Sequence, residues 1–146
     1  TDLDVQATAM NHAADHIPAN ATVYPVDLSA NLLHGHIQSY LGADKPLVLL
    51  TNYEPRLGWF PIAWNPARPV QRCLGTKVPY GVNCTPMEQP SDAPWPDAVV
   101  VHGDVTRLEL PEWSQLRRSL TEHYAIVHRS SDGAIVVYTF TGGFGS

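Results

Sequence analysis

The run Ala98-Val99-Val100-Val101 limits the fold more than any other stretch of this 146-residue chain. It is apolar at every position, and three of its four residues are β-branched. A strand of that kind is covered on both faces, which is the habit of a sheet with helices packed against either side. Leu47-Val48-Leu49-Leu50, behind Pro46, repeats the pattern and predicts a second strand buried on both faces. Neither run approaches the ~18–20 apolar residues that a membrane-spanning helix needs.

The segments around these runs read as helices and a hairpin. Asp2 and Asp4 suit a helix N-terminus, and Val5, Ala9, Ala13 and Ile17 follow at helical spacing until Pro18. Thr22 to Asp27 predicts a short strand whose Pro25, lacking an N–H, suggests an edge position or an early end. Leu33, Ile37 and Tyr40/Leu41 predict a helix over 31–41 with Gly42 as its stop. Trp59 to Trp64 reads as a further short strand. Pro111 fits the first turn of a helix with a stripe of Trp113, Leu116 and Leu120. Tyr124–Arg129 and Ala134–Phe140 flank Ser130-Ser131-Asp132-Gly133, a hairpin-turn signal. Strands alternating with helices predict one α/β domain over 1–146. Its architecture would be a two- or three-layer sandwich around a mainly parallel sheet, with a C-terminal antiparallel hairpin.

Composition narrows the function classes. Net charge is −5 with only nine Lys plus Arg and no basic cluster, which argues against a nucleic-acid partner. Thirteen prolines are present, nine of them between Pro55 and Pro96, so 65–96 reads as a long proline-rich loop. Loops of that length inside a compact domain are usually functional. Cys73 and Cys84 bracket ten residues of it. In an exported protein that spacing suits a loop disulfide contributing about 2–3 kcal/mol; the alternative is two unlinked thiols. No signal peptide is visible, and the start at Thr1 rather than Met is expected of a piece of a longer polypeptide.

Candidate chemistry collects where strands end. In open α/β sheets, ligands bind beyond the carboxyl ends of the strands. Asp27 follows the first strand, Asn52, Tyr53 and Glu54 the second, and His102 and Asp104 the strand at 97–101. Converging there, Asp27, Glu54, His102 and Asp104 could carry general acid–base chemistry. The plainer reading is that they end strands and cap turns. Tyr53, Trp59, Phe60 and Trp64 offer aromatic surface for a sugar or a partner, or simply core packing. His34-Gly35-His36 has poor geometry for one metal, and His12 and His16, four apart, have no obvious third ligand. No metal and no cofactor is expected. The nucleophile elbow, the P-loop and the dinucleotide fingerprint are all missing from the sequence.

Thr51-Asn52-Tyr53-Glu54-Pro55-Arg56-Leu57-Gly58-Trp59-Phe60-Pro61-Ile62 resembles the N-Y-E-x-x-x-G-Y-F-P stretch in the soluble tails of certain bacterial multi-spanning membrane proteins. Those proteins are similar to lipid-linked-sugar glycosyltransferases of the mannosyltransferase type. Ile17 to Val26 resembles their I-P-x-G-x-x-V-x-P-L entry strand, with Asn20 in place of the usual Gly. His34 or His36 ahead of Tyr40, and Asp97 to Val101 against D-Y-V-L-V, extend the similarity over most of 17–103. The segment between Cys73 and Cys84 is an insertion relative to that pattern. The resemblance implies an extramembrane C-terminal accessory domain on the periplasmic or extracytoplasmic face of a bacterial membrane. It would be non-catalytic, with the remainder of a membrane-embedded parent protein and a carbohydrate or lipid-linked sugar as partners. Asn52, Tyr53, Glu54, Trp59, Phe60 and His34 are then the binding candidates, and no catalytic residue carries over. The alternative is a free-standing hydrolase or transferase using the strand-end carboxylates and His102.

Overall fold

The computed structural model describes residues 2–29, 37–50, 74 and 93–142. Helix α1 spans Asp2–Ala13 and continues into a 3-10 turn, Ala14–His16. Strand β1 (Thr22–Leu28) follows, then a 3-10 helix at Ile37–Gly42 and strand β2 (Val48–Leu49). Strand β3 (Ala98–Gly103) leads through two short 3-10 segments into α2 (Ser114–His123), and β4 (Tyr124–Arg129) and β5 (Ile135–Phe140) close the chain. The strands form one mixed sheet in the order β2-β1-β3-β5-β4. β1 is parallel to β2 and β3, while β5 is antiparallel to both β3 and β4.

The apolar run at 98–101 is the centre of this sheet. Ala98 and Val100 face Met10, Ala13 and Ile17 on the α1 side. Val99 and Val101 face Leu108, Leu116 and Leu120 on the α2 side. All four are fully buried, as a strand covered on both faces requires. Each valine so buried contributes roughly 1.5–3 kcal/mol. The stripe of Trp113, Leu116 and Leu120 and the terminal hairpin also form where the sequence predicts them.

Four expectations are corrected. Leu47–Leu50 is not a doubly buried strand: among the described residues only Val48 and Leu49 pair, at the edge of the described strands, and Val48 is 43% exposed. Pro25 lies in a strand that is interior in the sheet order and runs on to Leu28. The two errors share a cause. Ala21 and Val23 accept from Val48 and Leu50, so odd-numbered residues of β1 turn their main-chain groups toward β2. The next N–H in that ladder would belong to residue 25, and proline has none, so β2 stops there while the other edge of β1 pairs with β3 undisturbed. The third correction concerns 37–42, which is a 3-10 helix with Tyr40 exposed, so Tyr40 is not part of an apolar stripe. Lastly, Val5 is 65% exposed, and α1 buries only Met10 and Ala13 of its own length. The predicted strand at 59–64, the 31–36 half of the predicted helix, Cys73, Cys84 and nearly all of the 65–96 loop lie outside the described residues.

At the N-terminal ends of β1 and β3 a side-chain clamp holds the register. Asp97 Oδ2 accepts from Thr22 N (2.8 Å) and Thr22 Oγ1 (3.0 Å), and Asp97 N donates to Thr22 Oγ1 (3.1 Å). With Val23 thereby opposite Ala98, the alternation carries through to Asp27 opposite His102.

Candidate functional site

Parallel pairing brings Asp27 and His102 side by side. They are register partners on adjacent strands and lie on the face of the sheet that α1 covers. Three local features fix the pair. Asp27 ends β1 in a tight side-chain turn, its Oδ1 accepting from Ser29 N at 2.8 Å and Ser29 Oγ at 2.6 Å. His102 Nδ1 stands 3.8 Å from the same oxygen. On the other side of the ring, Nε2 lies 3.3 Å from Gln38 Oε1, carried by the 3-10 helix. His102 is 3% exposed and Gln38 7%. The ring is thus held between a carboxylate and an amide oxygen.

Gly103 makes this closeness possible. Its φ is +103°, and a Cβ there would sit 2.6 Å from the Leu28 carbonyl carbon and 2.7 Å from Ser29 Cα, with Ser29 N nearer still. Only a residue without a side chain lets the ends of β1 and β3 run this close.

The order of groups decides what the cluster can do. In a nucleophilic triad the imidazole stands between hydroxyl and carboxylate, so that it can take the hydroxyl proton. Here Ser29 Oγ donates to Asp27 Oδ1, the same oxygen from which His102 Nδ1 stands 3.8 Å. The Ser29 hydroxyl proton is thus directed at Asp27.

Beside it lies a cleft of about 240 Å³. Val5, Ala9 and Met10 of α1, with Ile37 and Ile135, supply an apolar wall, and Ser29, His102, Asp104, Asp132 and Asp2 supply polar atoms. No lysine or arginine lines it among the described residues. Asp104 caps the 3-10 turn after β3, with Oδ1 accepting from Thr106 N (3.2 Å) and Thr106 Oγ1 (2.5 Å). Asp132 pins the hairpin turn, with Oδ1 accepting from Ser130 Oγ (2.6 Å) and Ala134 N (3.0 Å). The bond from Ser130 and the one from Ala134 hold the Asp132 carboxyl below its ordinary range, so it stays ionised. In both residues these bonds fall on Oδ1. The site's character is thus acceptor-rich, acidic and half apolar.

Of the strand-end candidates, Asp27 and His102 come together, and His102 and Asp104 line one cleft. The plainer reading also holds for Asp104, which does cap a turn. Glu54, Asn52, Tyr53, Trp59, Phe60 and His34 lie outside the described residues. Sequence reasoning missed Ser29, Gln38, Gly103 and Asp132. A signal for two of them was present: Asp27-Leu28-Ser29, Asp104-Val105-Thr106 and Ser130-Ser131-Asp132 all set a carboxylate two residues from a hydroxyl, and in each the Asp closes a turn on the N–H two residues on. Gln38 carried no signal, because its partner is 64 residues away. Among the described residues, no group of three or more potential ligands could hold a metal ion, and no helix is long and apolar enough to cross a membrane. No family model, curated protein or solved structure matches this chain.

Proposed function

We propose that this domain is a non-catalytic binding module, and that the cleft at the carboxyl ends of β1 and β3 takes a neutral polyhydroxyl ligand of the carbohydrate class. The observation that carries the reading is the cleft's lining: fixed carboxylates and an apolar wall, with no lysine or arginine among the described residues. Carboxylate oxygens accept from hydroxyls, and an apolar wall suits the C–H face of a sugar ring. A phosphate would meet like charge at Asp2, Asp104 and Asp132. In a lipid-linked sugar, the sugar is then the end that enters, with the phosphate kept outside.

The same reading makes the chain an accessory domain of a membrane-embedded glycosyltransferase-like parent, facing the periplasm or cell exterior and helping to position an acceptor. It takes the sheet as the middle of three layers, supported by the separate cores under α1 and α2. The competing reading, a small hydrolase or transferase, draws on the Asp27–His102 pair. That Ser29 Oγ donates to Asp27 favours binding over nucleophilic chemistry at Ser29.

Titration calorimetry with methyl mannoside tests the proposal. Asp104→Asn keeps an oxygen for Thr106 and removes the charge, so the fold is retained while binding weakens about fivefold or more, on the scale of one charge-assisted hydrogen bond. Equal binding by wild type and the Asp104→Asn/Asp132→Asn double variant, or tighter binding of mannose 1-phosphate than of the neutral sugar, refutes it.

A further inference from the structure

Three histidines meet at the far end of α1, away from the cleft's carboxylates. His12 lies near the C-terminus of α1, His16 ends the 3-10 turn that follows, and His128 comes from the edge strand β4. The His16 and His128 rings stack, with centroids 4.2 Å apart and planes within 15°. Lone pairs of near-parallel rings do not converge on one point, so the stack as it stands does not chelate an ion. Stacked neutral imidazoles attract, whereas two imidazolium rings at that separation repel.

We propose that His16 and His128 form a pH-sensitive latch, which holds the C-terminal end of α1 on β4 at neutral pH and releases it on acidification. His16 is open to water, but no ion pair forms with the stack among the described residues. On the α1 side the facing groups are His12 and Lys45, whose Nζ donates to Ala14 O (2.7 Å) and Ile17 O (2.8 Å). From β5 the register partner of His128 is Val137. Asp15 and Arg129, the sequence neighbours of the two rings, are exposed. Among the described residues no carboxylate forms an ion pair with any of the three histidines. Burial, then the charges of His16 and His12, keep the His128 imidazole below its ordinary value, in accord with a ring that is neutral while docked.

Residues of α1 also wall the cleft, so release of α1 widens it. That consequence rests on the binding reading above; the latch does not.

Hydrogen exchange without ligand tests the latch by itself. Between pH 7.5 and pH 5.5, corrected for intrinsic rates, amides of Met10 to Ile17 lose about tenfold in protection while those of β3 keep theirs. His128→Phe preserves a stacking ring without the charge, and its α1 protection changes less than twofold over the same range. Wild-type protection that is independent of pH, or an equal loss in His128→Phe, overturns the proposal. Should that variant misfold, ring-proton titration of the wild type decides. Two separated steps with loss of the inter-ring contact support the latch, and a single step with the contact intact overturns it.

Discussion

Replacing Gly103 by alanine puts a methyl group where the structure has no space for one. The new Cβ would lie 2.6 Å from the Leu28 carbonyl carbon and 2.7 Å from Ser29 Cα, against the 3.4 Å at which ordinary contact begins. The obstruction is backbone, so no side chain can swing away. A φ of +103° adds strain of about 1–2 kcal/mol for an L side chain. Relief requires the chain at 28–29 to retreat, and that movement breaks the bonds from Ser29 to Asp27, at about 1.5–3 kcal/mol for bonds to a charged group. Together these give a loss of about 3–5 kcal/mol, a large share of the 5–15 kcal/mol typical of a domain. Urea unfolding followed by tryptophan fluorescence measures it, and the Ser29 amide resonance reports whether the Asp27 turn has opened. A Gly103→Ala variant within about 0.5 kcal/mol of wild type, with the Ser29 resonance in place, refutes the claim that close approach of β1 and β3 assembles the site.

Three further outcomes follow from the same contacts. Asp27→Ala leaves Ser29 N and Ser29 Oγ without their acceptor and the buried His102 without its neighbouring carboxylate, and costs about 2–4 kcal/mol in urea unfolding. The lowered His128 value means that the unfolded chain binds a proton more readily than the folded one. Its contribution is therefore complete above the ordinary 6.5 and declines as pH falls through and below it, so thermal unfolding shifts to lower temperature with acidification and shifts less in His128→Phe. Tyr124 donates to Pro96 O at 2.8 Å, and its hydroxyl is held well above the ordinary phenol value, first by burial and then by Asp97. Tyr124→Phe costs about 1–2 kcal/mol, and in the wild type the 295 nm absorbance of Tyr124 ionises only with unfolding.

What could be read ahead was set by local pattern. The doubly covered strand at 98–101, the stripe of α2 and the hairpin are each announced by residues within a few positions of one another, and each formed. The failures are non-local. Leu47–Leu50 is apolar enough for a central strand, yet its partner ladder is cut by Pro25, more than twenty residues earlier. Val5 sits at the right spacing for a core stripe but faces the cleft, because α1 rests on the sheet chiefly through its C-terminal half. The site divides the same way. Asp27 and His102 were visible as strand ends, since parallel strands align their carboxyl ends. The role of Gly103 depends on how close another strand passes, and that of Gln38 on a helix packed across the sheet.

The central claim is that the strand ends form a cleft for neutral hydroxyls. Amide chemical-shift mapping of the ¹⁵N-labelled protein with methyl mannoside, and separately with mannose 1-phosphate, tests it most directly. Saturable shifts are expected at Ser29, Gly103, Asp104 and Ala134 with the neutral sugar, and much weaker ones with the phosphate. Shifts confined to other surfaces, or a phosphate that saturates the same amides more tightly, contradict it.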